Sequence, residues 1–240
     1  MQAFVPGVWA KETMKKLFVL QRQPIGEHQF LLDIFSAEQG RLSVVTPKRS
    51  SKQNFYIPDC FQQCQADWRP GEDWPNIKVL QLQQSYELTD SALYCGLYLN
   101  ELLVRLLSRH EPLPLLFQVY RSVLMGLEQG GAAEPWLRLF EHQLLQQLGY
   151  GVCWQYDSLQ RPIDRKLSYR FNAQDGFVLH GAGQYSGADI HAFNAWLQNF
   201  SQLPGSVSVW QMAKQVLRLS LENILERPLV SRELFSATTI

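Results

Sequence analysis

The sequence has few cysteines, no excess of charge of either sign and no long hydrophobic run. Its four cysteines are scattered over 240 residues, which is typical of reduced thiols in a cytosolic chain. The 22 basic and 22 acidic side chains balance, so any surface for a polyanion must come from local clustering of charge. Even the leucine-rich stretch 93–107 is interrupted by polar residues and is shorter than the roughly 18 apolar residues of a membrane span. We therefore expect a cytoplasmic globular protein without membrane contact.

Motifs of catalysis and metal binding are also missing. There is no Walker loop, no Gly-x-Ser-x-Gly elbow and no pair of histidines at the four-residue spacing of a zinc site. Cys60 and Cys64 could form half a zinc site, but no second pair matches them. The glycine-containing run 181–187 is superficially similar to a dinucleotide loop, yet its third glycine comes one place late. The sequence therefore predicts no catalytic residue, no metal and no cofactor, and the chain is not predicted to be an enzyme.

Two carboxylates leave an alternative open. Glu101 and Glu141 each lie beside an apolar helical stripe, where burial could tune a general acid. The first interpretation is an ion pair with Arg105 or Arg138. The alternative is a metal-independent hydrolase that uses one of these carboxylates with His142. A protein-only adaptor is a further alternative.

Hydrophobic patterns predict two kinds of structure. Residues 17–85 contain short apolar runs at 17–20, 30–35, 42–46 and 77–82, separated by Gly- and Pro-bearing turns, which predicts a small β barrel or sandwich. From Thr89 the apolar period becomes helical, and helices are predicted near 89–107, 115–128, 134–149, 188–200 and 207–226. A β-hairpin is predicted near 165–181. The predicted fold class is therefore α+β, with one domain at 1–86 and a helical domain at 87–240.

Positive charge is concentrated in one predicted loop. Between Glu38 and Asp59 there is no acidic residue, but there are four cations: Arg41, Lys48, Arg49 and Lys52. Phe55 and Tyr56 follow, and cations beside aromatic rings are typical of proteins that bind single-stranded nucleic acid. The alternative is a solvated turn followed by a core strand. A second cluster near the hairpin is equally ambiguous; it contains Arg161, Arg165, Lys166 and Arg170 against Asp164.

Several short motifs, taken in order, resemble those of the RecO recombination mediator family over nearly the whole chain. In the first half they are Phe18-Val19-Leu20, Arg22-Gln23-Pro24 with Glu27, Leu32-Asp33-Ile34-Phe35 and Gly40-Arg41. In the second half they are the run 93–103 (LYCGLYLNELL), Phe140-Glu141 with Leu144-Leu145, Leu148-Gly149-Tyr150-Gly151 and Ser231-Arg232-Glu233-Leu234-Phe235.

The resemblance implies an amino-terminal OB-fold β-barrel and a helical carboxy-terminal domain. It implies binding to single- and double-stranded DNA, annealing of complementary strands, and partnership with RecR in loading RecA onto DNA coated by single-stranded-DNA-binding protein, as in the RecF pathway. A cytoplasmic, nucleoid-associated location follows. Two departures stand out. Thr46-Pro47-Lys48-Arg49 lacks the glycine of many relatives, and Cys153 alone stands where some relatives have a four-cysteine zinc module.

The resemblance also turns the charge pattern into site predictions. A phosphate track is predicted on the OB-fold and consists of Arg22, Arg41, Lys48, Arg49 and Lys52, supported by Lys78. A receptor for the acidic carboxy-terminal tail of single-stranded-DNA-binding protein is predicted in the helical domain. It consists of Arg138, with Leu137 or Leu145 near an apolar slot. The alternative for Arg138 is a surface ion pair with Glu141 or Glu134.

Overall fold

The computed structural model of the chain describes residues 14–48, 57–68, 74–200 and 203–231. The chain divides into two units. The first contains the described residues up to Tyr86 together with Ser108–Pro112, and the second contains Glu87–Leu107 and the described residues from Leu113 onward. The segment 108–112 therefore belongs to the first unit, although its position in the sequence lies within the predicted helical domain.

The first unit is built on a five-stranded antiparallel sheet with the order β3-β2-β1-β4-β5. The strands are β1 (Lys15–Ile25), β2 (Gln29–Ser36), β3 (Gly40–Pro47), β4 (Gln62–Trp68) and β5 (Ile77–Ser85). Short turns join β1, β2 and β3, and each contains a glycine with a positive φ, Gly26 at 53° and Gly40 at 70°. Only glycine adopts that backbone conformation at little cost.

One face of this sheet forms the core of the first unit. Val19, Ile34 and Leu42 are directly paired across β1, β2 and β3, and all three are buried. Each such side chain contributes roughly 1.5 to 3 kcal/mol by leaving water. Trp68 completes the core from β4, and its indole Nε1 donates a hydrogen bond of 2.8 Å to Gln39 Oε1.

The edge strands β3 and β5 come together without forming a ladder. Val45 N donates to Pro75 O at 3.0 Å, and Val45 forms one isolated bridge with Asn76, just before β5. Within the described residues the sheet therefore does not close into a continuous barrel. OB-folds are five-stranded and partly open, so the observed strand order agrees with that fold. The α+β class is confirmed.

The second unit combines five helices with a three-stranded sheet in the order β7-β6-β8. The helices are α1 (Asp90–Leu106), α2 (Pro114–Glu128), α3 (Glu134–Gln147), α4 (Gly187–Asn199) and α5 (Val207–Ile224). The strands are β6 (Ser168–Asn172), β7 (Gly176–Leu179) and β8 (Tyr185–Ser186). Pro114 and Pro135 lie in the first turns of α2 and α3, where a missing amide costs nothing. None of the described helices combines the length and the apolar character that crossing a membrane requires.

Packing between α2 and α3 depends on a glycine. A side chain at Gly126 would overlap the indole ring of Trp136, so the small residue lets the two helices approach closely. Nearby, the buried Tyr120 hydroxyl donates a hydrogen bond to Asn100 Oδ1 on α1. These contacts join α1, α2 and α3 into one packed group.

Candidate nucleic-acid interface

Two of the predicted DNA-binding cations lie beside one aromatic ring at the end of β1, β2 and β3. The Arg22 guanidinium carbon is 5.2 Å from the centroid of the Phe30 ring, and Lys48 Nζ is 5.4 Å from the same centroid. Cations at this distance are attracted by the electron-rich ring face. We refer to Arg22, Phe30 and Lys48 as the rim cluster.

The register of the sheet explains why these residues meet. A β-bulge between Val19 and Gln21 shifts the pairing, so that Arg22 lies opposite Leu32 and Pro24 lies opposite Phe30. Directly paired residues share a face of the sheet. Arg22 and Phe30 therefore lie on the core face, but at its outer end, where Leu32 is the last fully buried side chain of β2 and Phe30 is half-buried.

The rim cations have only weak partners. Arg22 Nη2 is 3.3 Å from Asp59 Oδ2, and the two side chains are 33% and 58% exposed. An exposed pair of this kind contributes about 0 to 1 kcal/mol. Lys48 Nζ donates to the backbone carbonyl of Gly26 at 2.8 Å, and Lys48 N donates to His28 O at 2.7 Å. Lys48 is thus held against the β1–β2 turn, one of the regions through which OB-folds bind oligonucleotides.

Arg41 has a different environment. Its guanidinium donates to both carboxylate oxygens of Asp33, with the closest nitrogen to oxygen distance 2.7 Å, and the two side chains are only 13% and 14% exposed. Asp33 is paired with Ser43, so Arg41 and Asp33 lie on the face opposite to Leu32 and Phe30. The structure therefore brings Arg22 and Lys48 together and sets Arg41 apart.

The remaining predicted cations are less fully described. Arg49 and Lys52, with the aromatic residues 55 and 56, lie outside the described residues and stay predictions. Lys78 lies in β5. Arg109, which the sequence reasoning missed, donates through Nη1 to Ser43 Oγ at 2.8 Å and is exposed on the Arg41 face. No sequence signal indicated it, because it comes from the segment that returns to the first unit.

Arg138, the predicted tail receptor, is buried within α3. Its Nη2 donates to Glu141 Oε1 at 2.8 Å, and the Tyr98 hydroxyl donates to the same oxygen at 2.7 Å. Glu134 is 3.9 Å from Nη1. Among the described residues, Nε and Nη1 of Arg138 have no hydrogen-bond partner. The Glu141 pair is therefore buried, not at the surface, and the role of Arg138 as a tail receptor stays a prediction.

The two leucines of the predicted receptor lie at different depths. Leu137 is half-buried beside Arg138, whereas Leu145 is fully buried in the helical core. Leu145 therefore supports the packing beneath α3 and does not line an open slot in this structure.

Both carboxylates of the hydrolase alternative have structural roles. Glu101 lies 2.7 Å from Arg105 and accepts hydrogen bonds from the backbone amides of Val230 and Ser231 at 2.9 and 2.8 Å. Burial raises the pKa of Glu101, but the hydrogen bonds from Ser231 and Val230 and the charge of Arg105 outweigh it, so the net pKa is lowered. Glu141 is bound by Arg138 and Tyr98.

His142 does not complete a carboxylate and histidine pair. It follows Glu141 directly on α3, and successive residues of a helix point in different directions. Burial lowers the pKa of His142 to about 4, so the ring is neutral near pH 7. The described side chains thus assemble no general acid with a histidine at this place.

Two of the three glycines in the run 181–187, Gly183 and Gly187, serve packing. A side chain at Gly183 would overlap the backbone of Tyr169, and one at Gly187 would overlap the carbonyl of Asp164. Both glycines therefore allow close backbone approach around β6.

Comparisons with known proteins agree over nearly the whole chain. The family model described as "Recombination protein O C terminal" matches residues 90–233. The DNA repair protein RecO of Haemophilus influenzae (strain 86-028NP) is 37% identical over 233 residues, covering 93% of this chain and 95% of the relative. The DNA repair proteins RecO of Pseudoalteromonas translucida and Stutzerimonas stutzeri are 33% and 35% identical, covering 93% and 91% of this chain and 97% and 91% of the relatives.

Proposed function

Because the chain belongs to the RecO family of DNA repair proteins, we propose that it is a recombination mediator that binds single- and double-stranded DNA and anneals complementary strands. Together with RecR, it helps to load RecA onto DNA coated by single-stranded-DNA-binding protein. The activity breaks and forms no covalent bond. It depends instead on neutralising the phosphates that keep two strands apart.

The rim cluster is the observation that carries the DNA-binding part of the proposal. Two cations at the β1–β2 turn of an OB-type sheet lie beside the Phe30 ring, and neither is paired with a buried carboxylate of the described residues. Such cations hold phosphates in a way that is independent of sequence. The half-buried ring offers an edge for a base.

The proposed track includes Arg22 and Lys48, the predicted cations Arg49 and Lys52 one and four residues after Lys48, and Lys78 on β5 as a supporting cation. Arg41 holds Asp33 and has a structural role. Binding is therefore expected to depend on salt and to survive the loss of Arg41.

Replacement of the two rim cations tests this function. We expect the variant Arg22→Gln/Lys48→Gln to bind a single-stranded oligonucleotide roughly tenfold more weakly and to anneal strands more slowly. A matched control, Arg121→Gln/Lys214→Gln, removes the same charge from exposed positions on α2 and α5. If the two variants bind the oligonucleotide with equal affinity, the DNA track lies elsewhere on the protein.

Annealing also separates the other classes of function. A mediator anneals strands without metal or nucleotide. A protein-only adaptor is not retained on single-stranded DNA at low salt, and a hydrolase shows turnover that a single carboxylate substitution abolishes.

We further propose that the acidic tail of single-stranded-DNA-binding protein docks at Arg138. The support is a buried guanidinium whose Nε and Nη1 lack a hydrogen-bond partner among the described residues, because a chain-terminal carboxylate can accept from such a donor. Glu134, 42% exposed and 3.9 Å away, gives way to the incoming carboxylate, and Leu137 provides apolar surface for the tail's terminal ring.

A change in the peptide tests the receptor without disturbing the protein fold. We expect a tail peptide with a free carboxyl terminus to bind at least tenfold more tightly than the same peptide with an amide terminus. The variant Arg138→Lys keeps the charge beside Glu141 and removes the planar fork, so it should weaken binding of the free-acid peptide only. Equal binding of both peptides to the native chain would reject the site.

A further inference from the structure

We propose that the solvent face of the β6–β7–β8 sheet, with the turn that precedes β6, is a second nucleic-acid contact that holds phosphates without reading bases. We call this surface the hairpin face; it comprises Arg165, Lys166, Ser168, Arg170, Asn172, His180 and Ser186. The inference rests on the proposed function but uses none of the rim residues.

The three strands separate an aromatic face from a polar face. Tyr169, Phe177 and Tyr185 are buried on one side. The pairing puts Ser168 opposite Ser186, and Arg170 opposite Val178, on the other side. Because side chains alternate along a strand, Ser168, Arg170 and Asn172 share the solvent face of β6. Strand residues on this face include no Asp or Glu.

The cations of this surface are available, unlike their neighbour Arg161. Arg161 donates to the buried Asp157 at 2.6 and 2.8 Å and is thereby committed to the fold. Arg165, Lys166 and Arg170 are exposed, and within the part of the chain that the structure describes no ion pair involves them. A phosphate approaching them displaces no carboxylate.

The nearest acidic groups are occupied by backbone or side-chain donors. Asp164 Oδ1 accepts from the Lys166 amide at 2.8 Å, in the turn before β6. Asp175 accepts from Asn172 Nδ2 at 2.9 Å, at the hairpin loop. Both aspartates lie outside the strand positions of the hairpin face. Arg170 is therefore the charged side chain at the centre of this face.

His180 adds a directed donor to this surface. The Ala182 amide donates to His180 Nδ1 at 3.1 Å, so a neutral ring carries its proton on Nε2. The β6–β7 register continues to place His180 beside Ser168, as the hydrogen bond from His180 N to Ser168 O shows. The face thus combines cationic and neutral donors.

The chemistry of the face favours a phosphate backbone over an acidic peptide. A peptide tail needs an apolar slot to anchor a side chain, and the strand positions here carry mostly small polar groups. The aromatic rings are on the buried side, so bases find nothing to stack on. The strand β6, from Ser168 to Asn172, covers about 13 Å, a length over which several phosphates of one strand recur.

A second contact gives the annealing activity a physical basis. One chain that holds a strand at the rim cluster and another at the hairpin face raises the concentration of each strand near the other. The two surfaces should therefore contribute separately to annealing.

Three substitutions test the proposal. We expect Arg165→Gln/Lys166→Gln/Arg170→Gln to lower the slope of log affinity against log salt for a single strand by about 2, and to slow annealing. The control Arg121→Gln/Lys214→Gln/Arg218→Gln removes the same charge from exposed positions on α2 and α5. It should leave both quantities near those of the native chain.

The outcomes separate this proposal from the proposed function. If the native chain and the control bind DNA but the hairpin-face variant binds equally well, the second contact is wrong and the DNA-binding function stands. Loss of acidic tail-peptide binding with unchanged DNA binding would likewise overturn it in favour of a peptide site. A native chain that binds no DNA overturns both.

Discussion

Each unit of the molecule contains an arginine tied to a carboxylate and a group of exposed cations. In the sheet unit Arg41 is locked to Asp33, whereas Arg22 and Lys48 lie at the rim. In the helical unit Arg138 is locked to Glu141, whereas the hairpin face keeps its cations in solvent. The number of positive charges in a region therefore does not predict what the region binds, because the partner of each charged side chain determines whether that side chain can bind a ligand.

The physical reason is the cost of burial. A buried guanidinium without an opposite charge is strongly unfavourable, so Arg41 and Arg138 are kept with carboxylates. Exposed cations contribute little to stability and remain available to a ligand. Removing the carboxylate of a locked pair should therefore change folding, and removing an exposed cation should change DNA binding.

The largest expected effect is at Glu141. The substitution Glu141→Gln removes the charged acceptor of Arg138 Nη2 and leaves the buried guanidinium with the longer 3.9 Å contact to Glu134, which should lower the free energy of unfolding by about 3 to 5 kcal/mol. The control Glu222→Gln affects a pair with Arg218 whose side chains are 42% and 58% exposed and should cost under about 0.5 kcal/mol. Urea unfolding of both variants measures the difference, and similar losses would contradict the contrast between locked and exposed pairs.

A second effect concerns pH. Burial lowers the pKa of His142 from 6.5 to about 4. Between these two pH values the unfolded chain binds a proton at His142 and the folded chain does not. The free energy of unfolding is therefore unaffected by His142 above pH 6.5 and falls as the pH drops toward 4. The loss approaches about 1.4 kcal/mol per pH unit within that window.

The variant His142→Leu should remove this dependence, as measured by urea unfolding between pH 7 and pH 5. The control His28→Leu changes a side chain that is 90% exposed and should leave the pH profile as it is. A His142 variant with the native profile would show that another group causes the acid sensitivity.

The pair between Arg41 and Asp33 should be of intermediate importance. The substitution Asp33→Asn removes a charged acceptor from a largely buried guanidinium and should cost roughly 1.5 to 3 kcal/mol of stability. Thermal or urea unfolding measures it. A loss of stability as small as that expected for an exposed pair would mean that the ion pair between Arg41 and Asp33 stabilises the fold less than its geometry indicates.

The smallest stability effect is expected at the rim. Asp59→Asn removes the exposed partner of Arg22, so the free energy of unfolding should change by less than about 0.5 kcal/mol. DNA affinity should rise by roughly twofold, because a nearby negative charge is lost. Weaker DNA binding in this variant would show that Asp59 positions Arg22 for the ligand.

The sequence predicted most of the fold but not the state of each charge. Apolar alternation located β1, β2 and β3, and helical periodicity located the five helices. The strand β4 was missed because Gln62–Trp68 is rich in residues with low β-propensity, and its pairing with β1 and β5 defines it. The edge strands approach each other through contacts of Val45 with Pro75 and Asn76, which no local sequence pattern reveals.

The sequence did not reveal how strand register would place each predicted cation. Arg22 and Arg41 looked equivalent in the sequence, but a bulge in β1 moves Arg22 to the core-face rim while pairing leaves Arg41 beside Asp33. Arg109 joins the Arg41 face from a segment far along the chain. Charge patterns therefore identified the region of the predicted interface, and only tertiary pairing distinguished its members.

The most direct test of this account is the salt dependence of single-stranded DNA binding by the native chain, Arg22→Gln/Lys48→Gln and Arg41→Gln. We predict that the double variant lowers the slope of log affinity against log salt by about 1.4, because two phosphate contacts are lost. Arg41→Gln should keep the native slope. A reduced slope in Arg41→Gln, or a native slope in the double variant, would contradict the distinction between locked and exposed cations.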